Sequence, residues 1–581
     1  GQGRTVSQPG HTMMDWTAIL DHNAAAPWTF LEGSFWAFLL VVLAVDAVMH
    51  RERNRTMRHV WLLAASLLFY WKTSGWFFLI LLFSTVSDYL IGHRIAAGKR
   101  QATKDRWLAL SIFLNLTVLF YFKYTYFLTE SWNSVTGSSI IPRHWLVMGA
   151  NEVFNTGWSV DRILLPVGIS FYTFQTISYT VDIRRGLVAP LKRLTDFGFY
   201  VSFFPQLVAG PIVRAADFVP QILKPRAVTR ATIGLAGFWI LNGLLKKVLL
   251  ADWIAVNFND RVFADPGAHS SFEVLMALYG YSLQVYADFS GYTDMAIGVA
   301  LLMGYTLPQN FNSPYKADSC GDFWKRWHMS LSGWLKDYLY IPMGGNRRAS
   351  WFTAISGAFL LSFVALLWPE PRVLGAIGGV LLAFAVAMSR IPAFKRWVTT
   401  NVNIWMTMLL GGLWHGAGWN FVIWGGLNGL GITVYKLWRK VSPWESKDTF
   451  WKKAVAVGLT FHFITFTRIW FRSASHTTWA KFGTEHNMAS EWDTAMVILS
   501  TLATGTSWDV TSGVLSHYAL VFAVMLLGYV IHLLPSSWKG RYRQAFVGAP
   551  LALQAACAIV AVTLASAVLS AGGTPFIYFQ F

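Results

Sequence analysis

Cysteine is almost missing from this chain of 581 residues: Cys320 and Cys557 are the whole complement. Two thiols so far apart do not suggest a disulfide framework or a cysteine-based zinc site, and the redox compartment stays open. Charge is scarce too. Asp, Glu, Lys and Arg make up 13% of the residues while 54% are apolar, against about a quarter charged in soluble domains. That balance excludes a disordered or fibrous chain and indicates an integral membrane protein. Several chemical signatures are also lacking: no His-Glu-x-x-His pair, no G-x-S-x-G, no P-loop and no dinucleotide fingerprint occur. His and acidic residues do not cluster at ligand spacing. Neither a metal nor a tightly bound cofactor is therefore expected, and a reaction run here needs histidine and a substrate that arrives already activated.

What is abundant is aromatic and basic. Thirty Trp, 43 Phe and 21 Tyr suit a polytopic helical protein whose rings sit at the bilayer interface. The net charge of +18 follows from basic cytoplasmic loops, so it says little for nucleic acid, which is not expected as a partner. A membrane helix needs about 20 mostly apolar residues. Candidate spans fall at 33–49, 60–71, 75–92, 107–128, 163–182, 231–256, 273–303, 351–368, 373–389, 402–434, 454–471, 514–534 and 551–571. The expected fold is an all-α polytopic membrane protein, roughly 11–13 transmembrane helices with re-entrant or interfacial pieces. Residues 60–92 are too long for one upright crossing, and Lys72, Ser74 and Gly75 interrupt them, so they read as a tight hairpin.

Lys and Arg orient the spans. Segments 51–58, 93–106, 184–193 and 436–453 hold four, five, four and six, whereas 129–161, 258–272 and 473–512 hold one each. The rich loops should be cytoplasmic, and with the N-terminus outside the parity leaves the C-terminus outside. Both flanks of 402–434 are basic, so that segment should enter and return on one side or be broken. Its glycines, in LLGGLWHGAGWNFVIWGGLNGLG, mark it as a functional centre. By organisation, 1–30 reads as leader or appended residues, 31–160 as N-terminal transmembrane helices, 161–472 as the core, 473–513 as an extracytoplasmic loop, and 514–581 as C-terminal helices with an aromatic tail.

Ionisable groups at membrane depth are functional candidates by default. His415 leads them, flanked by Trp414 and Trp419, where burial favours the neutral imidazole a general base needs. A histidine simply bonded to a neighbouring carbonyl is the plainer alternative. His328 lies in DFWKRWHMSLSGWLKDYLYIPMGGNRR, residues 322–348, where Trp324, Trp327, Trp334, Tyr338 and Tyr340 interleave with Lys325, Arg326, Lys336, Arg347 and Arg348. That composition suits a helix in the headgroup plane, and the same cations suit the phosphates of an acyl donor. In YSLQVYADFSGYTDMAIG, Asp288 and Asp294 either line a polar cavity or are bonded structural carboxylates.

Six ordered pieces carry a resemblance: LPVGISFYTFQ, FFPQLVAGPI, QVYADFSGYTDMAIG, FWKRWHMSLSGWLKDYLYIPMGGNR, LLGGLWHGAGWNFVIWGGLNG and FTRIWFRSAS, from about Leu165 to Arg472. Together they resemble the membrane-bound O-acyltransferases, in the bacterial branch that serves alginate O-acetylation and teichoic acid D-alanylation. The N-terminal 160 residues match only in hydropathy. The resemblance implies a helical ring around a central chamber thinned from both membrane faces, in a multi-pass protein of the bacterial inner membrane. The family's W-H-G histidine falls on His415 and its R-W-H histidine on His328. Trp414, Asn420, Trp327, Lys325, Arg326, Lys336 and Asp288 are the residues expected to border the substrates. The chain ends TPFIYFQF, similar to the aromatic C-terminal motif of the small protein that works with the D-alanyl transferase, which makes Tyr578 a candidate acyl acceptor. An aromatic interfacial anchor explains the same tail.

These parts suggest a mechanism. A thioester donor, acetyl-CoA or an acyl-carrier thioester, needs no core nucleophile, only desolvation, positioning and a deprotonated acceptor hydroxyl. His415 is expected to be the base and His328 to orient the donor or protonate the leaving thiolate. The implied partners are membrane lipid and an extracytoplasmic SGNH-like acyltransferase acting on polysaccharide. Three alternatives stay open: D-alanyl or longer acyl transfer directly to an envelope polymer or lipid; a transporter, which would show internal repeats and paired coupling acids, neither visible here; and a structural scaffold for a polysaccharide export complex, which would tolerate loss of both histidines.

Overall fold

The computed structural model describes residues 22, 27–51, 55–154, 163–207, 210–224, 227–346, 386–387, 389–446, 449–475 and 488–570. Among them the chain is helical, with no strand. Five stretches are long and apolar enough to cross a bilayer: Arg55–Ala97, Gln101–Thr136, Arg230–Ala264, Phe450–Ser473 and Leu551–Ser570. Trp508–His517 and Ala519–Leu533, bent by 80° at their junction, make a sixth if taken together. The expected spans 163–182, 273–303 and 402–434 are also helical, as Ile169–Arg185, Ser271–Leu302 and the pair Pro392–His415 and Trp419–Val441. Ile169–Arg185 is short at 17 residues, and polar residues lower the hydropathy of the others; Ser271–Leu302 is buried against protein over most of its length. Residues 351–368 and most of 373–389 lie outside the described residues.

The 55–97 hairpin forms as its sequence suggests. Gly75 adopts φ +58, a left-handed conformation open to glycine at little cost, and it turns helix Arg55–Ser74 into Phe78–Ala97. The two arms return side by side: Leu63 and Thr85 both reach within 4 Å of the point where a Cβ on Gly198 would sit. A straight 43-residue helix would hold those residues about 33 Å apart.

Polar pairs pin the helices together where apolar contact alone gives little direction in lipid. Asp88 accepts from Ser111 Oγ at 2.6 Å and Asn115 Nδ2 at 2.6 Å, and Asn115 Oδ1 accepts from Thr176 at 3.0 Å, which joins three helices in one buried chain. Arg58 pairs with Asp46 at 2.7 Å and donates to the Met303 carbonyl at 2.6 Å. His59 Nδ1 meets Asp196 at 2.7 Å under the Phe199 ring. Along Ser271–Leu302, capped by the reciprocal bonds of Ser270 and Glu273, every residue from Gly280 to Leu301 is buried. This 32-residue helix is the axis around which the rest packs.

Candidate active site

The Gly-rich segment folds as a helical hairpin, Pro392–His415 and Trp419–Val441, with Gly416–Gly418 at its tip. Most of its glycines lie within the helices, and their task is close approach. A Cβ on Gly412 would stand 2.2 Å from the Phe421 carbonyl oxygen, and one on Gly425 2.3 Å from that of Met408. The backbones therefore touch, and this contact carries the last helical residue, His415, into the protein interior with 4% exposure. Gly416 leaves room for the Phe421 ring, which a Cβ there would meet at 2.0 Å.

His328 arrives from the opposite wall. Over residues 322–346 the segment is not one continuous helix, as an interfacial helix would be. It breaks between Cys320–Arg326 and Met329–Trp334, and His328 takes the left-handed φ of +43 at the break. Such a conformation is uncommon outside glycine and costs of order 1 kcal/mol or more. Asn310 holds the turn: its carbonyl accepts from Met329 N at 2.9 Å, its side-chain oxygen from Ser330 N at 3.1 Å. The break turns two of the tryptophans inward. Trp327 is 2% exposed, and Trp334 stacks on Phe174 at 3.8 Å while donating to the Phe174 carbonyl at 2.9 Å.

The two histidine rings end 6.4 Å apart, centroid to centroid, with Trp414 beside both at 5.8 and 5.1 Å. Phe289 stands edge-on to His328 at 4.6 Å; Trp424 and Phe471 face His415 at 5.1 and 5.6 Å. An aromatic cage of this kind limits the access of water to the imidazole.

Two cavities meet at this point. One, of 480 Å³, follows the hairpin from Ile404 to His415, about 16 Å along the helix, and is bordered by Lys325, Lys336 and Lys436. The other, of 370 Å³, begins at Trp414 and His415 and continues past the hairpin tip among Thr73, Ser74, Lys123 and residues 164–171. His415 is the one described residue that lines both.

The remaining expected residues are placed as follows. Lys325, Lys336 and Trp414 line one cavity or the other. Arg326 is turned to Asp322 at 2.7 Å, and Trp327 lies under the Arg468 guanidinium at 4.5 Å. Asn420 ties the hairpin to its neighbours, donating to Ser473 Oγ at 2.8 Å and the Glu491 carbonyl at 2.9 Å. Asp288 forms an ion pair with Lys247 at 2.7 Å and borders neither cavity, and Asp294 is bonded to Asn242 and Lys246. Tyr578 lies outside the described residues. Lys123, Asn310 and Arg468 are the additions. The last sits in the FTRIWFR piece, and the signal available was an arginine inside an apolar helix. Among the described residues no group of three or more His, Cys, Asp or Glu could hold a metal ion.

The helices thus bring a buried histidine to the border of two cavities in an all-helical protein with several helices apolar and long enough to cross a membrane. The model of the MBOAT, membrane-bound O-acyltransferase, family matches residues 191–367, and the chain belongs to this family. It is similar to the probable alginate O-acetylase AlgI of Pseudomonas aeruginosa, 37% identical over 401 residues, 68% of this chain and 64% of that protein. It is similar to the peptidoglycan O-acetyltransferase of Helicobacter pylori, 32% identical over 448 residues, 72% of each. A more distant relative is the teichoic acid D-alanyltransferase of Bacillus subtilis, 26% identical over 322 residues, 52% of this chain and 67% of that protein. The chain thus spans a little under two thirds of the Pseudomonas protein's length.

Proposed function

We propose that the protein moves an acyl group, acetyl first, from a cytoplasmic thioester to a hydroxyl on the other side of the membrane, for O-acylation of an extracytoplasmic polysaccharide. The observation that carries this reading is His415 on the boundary of two cavities. The basic rim of the first, Lys325, Lys336 and Lys436, suits a donor such as acetyl-CoA, whose phosphates pair with lysines. Lys436 lies toward the basic base of the hairpin, the side that the charge pattern makes cytoplasmic. The second cavity, with hydroxyls from Thr73, Ser74 and Ser170, suits an acceptor alcohol.

In this reading the neutral His415 ring takes the acceptor's proton as its oxygen attacks the thioester carbonyl. The tetrahedral intermediate collapses, the C–S bond breaks, and the departing thiolate receives the proton held by the His415 imidazolium, directly or through a relay by His328, which leaves both rings neutral. The new C–O ester leaves by the second cavity. The relatives' printed activities, O-acetylation of alginate and peptidoglycan and D-alanylation of teichoic acid, support an O-acyl product in the cell envelope.

The acceptor we favour is the Tyr578 hydroxyl. A phenol has a reference pKa of about 10, well below a sugar alcohol, and its aryl ester stays reactive enough for an extracytoplasmic SGNH-like enzyme to pass the group onward. Peptide mass spectrometry of the C-terminal fragment tests this. An acyl adduct on Tyr578 is expected in the wild-type protein and none in His415→Ala, with the adduct mass naming the group. Absence of an adduct while Tyr578→Phe still supports polymer acylation rules the relay out and leaves direct transfer.

A further inference from the structure

Lys123 stands where the helix Gln101–Thr136 widens into a π-bulge over Phe120–Tyr124. Such bulges are rare and recur at functional sites. Its ammonium donates to the Trp414 carbonyl at 2.5 Å, to the His415 carbonyl at 3.4 Å and to Ser170 Oγ at 3.4 Å. The next residue, Tyr124, donates its hydroxyl to the Leu413 carbonyl at 2.9 Å. A helix leaves its last four carbonyls without partners inside the helix. In Pro392–His415 three of those four are taken by two adjacent side chains of one bulge.

The consequence falls on the histidine. His415 is the last helical residue, and the chain leaves it through Gly416 and Gly418 in extended conformation, so the helical ladder alone does not fix the peptide planes on either side of its Cα. Lys123 holds the oxygens of both planes. An ammonium has three protons, and three acceptors already surround this one. Although it borders the second cavity, its hydrogen-bonding capacity is directed at the protein and not at a substrate. Its charge also opposes the negative end of the helix dipole.

We propose that Lys123, assisted by Tyr124, is a positioning residue that sets the direction of the His415 imidazole between donor and acceptor. The inference rests on the acyl-transfer reading above. A displacement of about 1 Å at a reacting group can cost about 10²-fold in rate, which sets the size of the expected effect.

The test uses the purified full-length protein in lipid nanodiscs, with acetyl-CoA as the probe and thiol release as the readout. Lys123→Met should lower kcat by about tenfold to 10²-fold while the KM for acetyl-CoA stays within about twofold, since the donor side is untouched. Lys123→Gln, which keeps an N–H donor without the charge, should recover part of kcat. A merely structural role moves other quantities, yield and melting temperature, and leaves the folded fraction turning over at the normal rate. Should Lys123→Met fail to fold, Tyr124→Phe removes one bond at the rim and should lower kcat by about threefold. A wild-type kcat in the folded Lys123 variants, a loss confined to KM, or an unchanged Tyr124→Phe overturns the inference. His415→Ala run in parallel separates the two levels: if it is inactive the acyl-transfer reading stands whatever Lys123 does, and if it turns over normally that reading itself fails.

Discussion

Arg468 brings a full positive charge into the interior with 1% of its surface exposed. Its guanidinium lies 4.5 Å over the Trp327 ring and 5.5 Å from Phe471, and the same Phe471 ring faces His415 at 5.6 Å. Among the described residues no acidic group pairs with it, a costly arrangement for a buried cation; in the proposed reaction the charge that matches it is the oxyanion of the tetrahedral intermediate or the departing thiolate. Replacing one preorganised group that stabilises such charge costs about 10²-fold or more in turnover. Arg468→Gln is therefore expected to lower kcat for thiol release by about 10²-fold, with melting measured alongside to account for the lost stacking. Near-normal turnover would show the arginine to be a packing element. This residue was visible in the sequence as an arginine in an apolar helix, and Phe471, three residues on in the same helix, is the ring that joins it to His415; that Phe471 faces His415 is a tertiary contact between separate helices with no local signal.

The element that matters most is the hairpin of Pro392–His415 and Trp419–Val441, and its glycines decide whether its arms can touch. Gly412→Ala places a methyl 2.2 Å from the Phe421 carbonyl oxygen, where backbone must move, and a loss of about 1–3 kcal/mol is expected, read as a lower melting temperature. Gly458→Ala is the control, since a Cβ there meets nothing within 4 Å and alanine favours helix by up to about 1 kcal/mol. Equal melting of the two variants contradicts the close-packing account. The basic flanks of 402–434 gave the return of this segment, and Gly75 gave the turn of 55–97, because charge bias and left-handed backbone are local signals. The break at His328 was not legible. Its interleaved Trp and Lys read as an interfacial helix until Asn310, distant from the segment's main body, is seen to bond the turn. The π-bulge that carries Lys123 has no sequence signature either.

Across the whole molecule, three lysines from separate elements border the same cavity. Lys436 at the hairpin base and Lys325 and Lys336 in the 320–340 segment border one cavity, while the tip of the 55–97 hairpin and residues 164–171 border the other. His415 borders both cavities, and the proposed function makes it the reactive group in the wall between them, with His328 buried behind it and bordering neither. The axial helix, the polar pairs and the cage of aromatic rings all serve to hold that wall in place. The family and the helical class were legible from ordered motifs and hydropathy, whereas the meeting of two cavities at one residue exists only in three dimensions. The account therefore turns on His415. The direct measurement is single-turnover thiol release from acetyl-CoA by the purified full-length protein, wild type against His415→Ala, with donor binding and melting temperature measured on the same samples. The expected result is a loss of at least about 10²-fold in rate with binding and stability preserved; release at the wild-type rate by a folded His415→Ala protein would contradict the account.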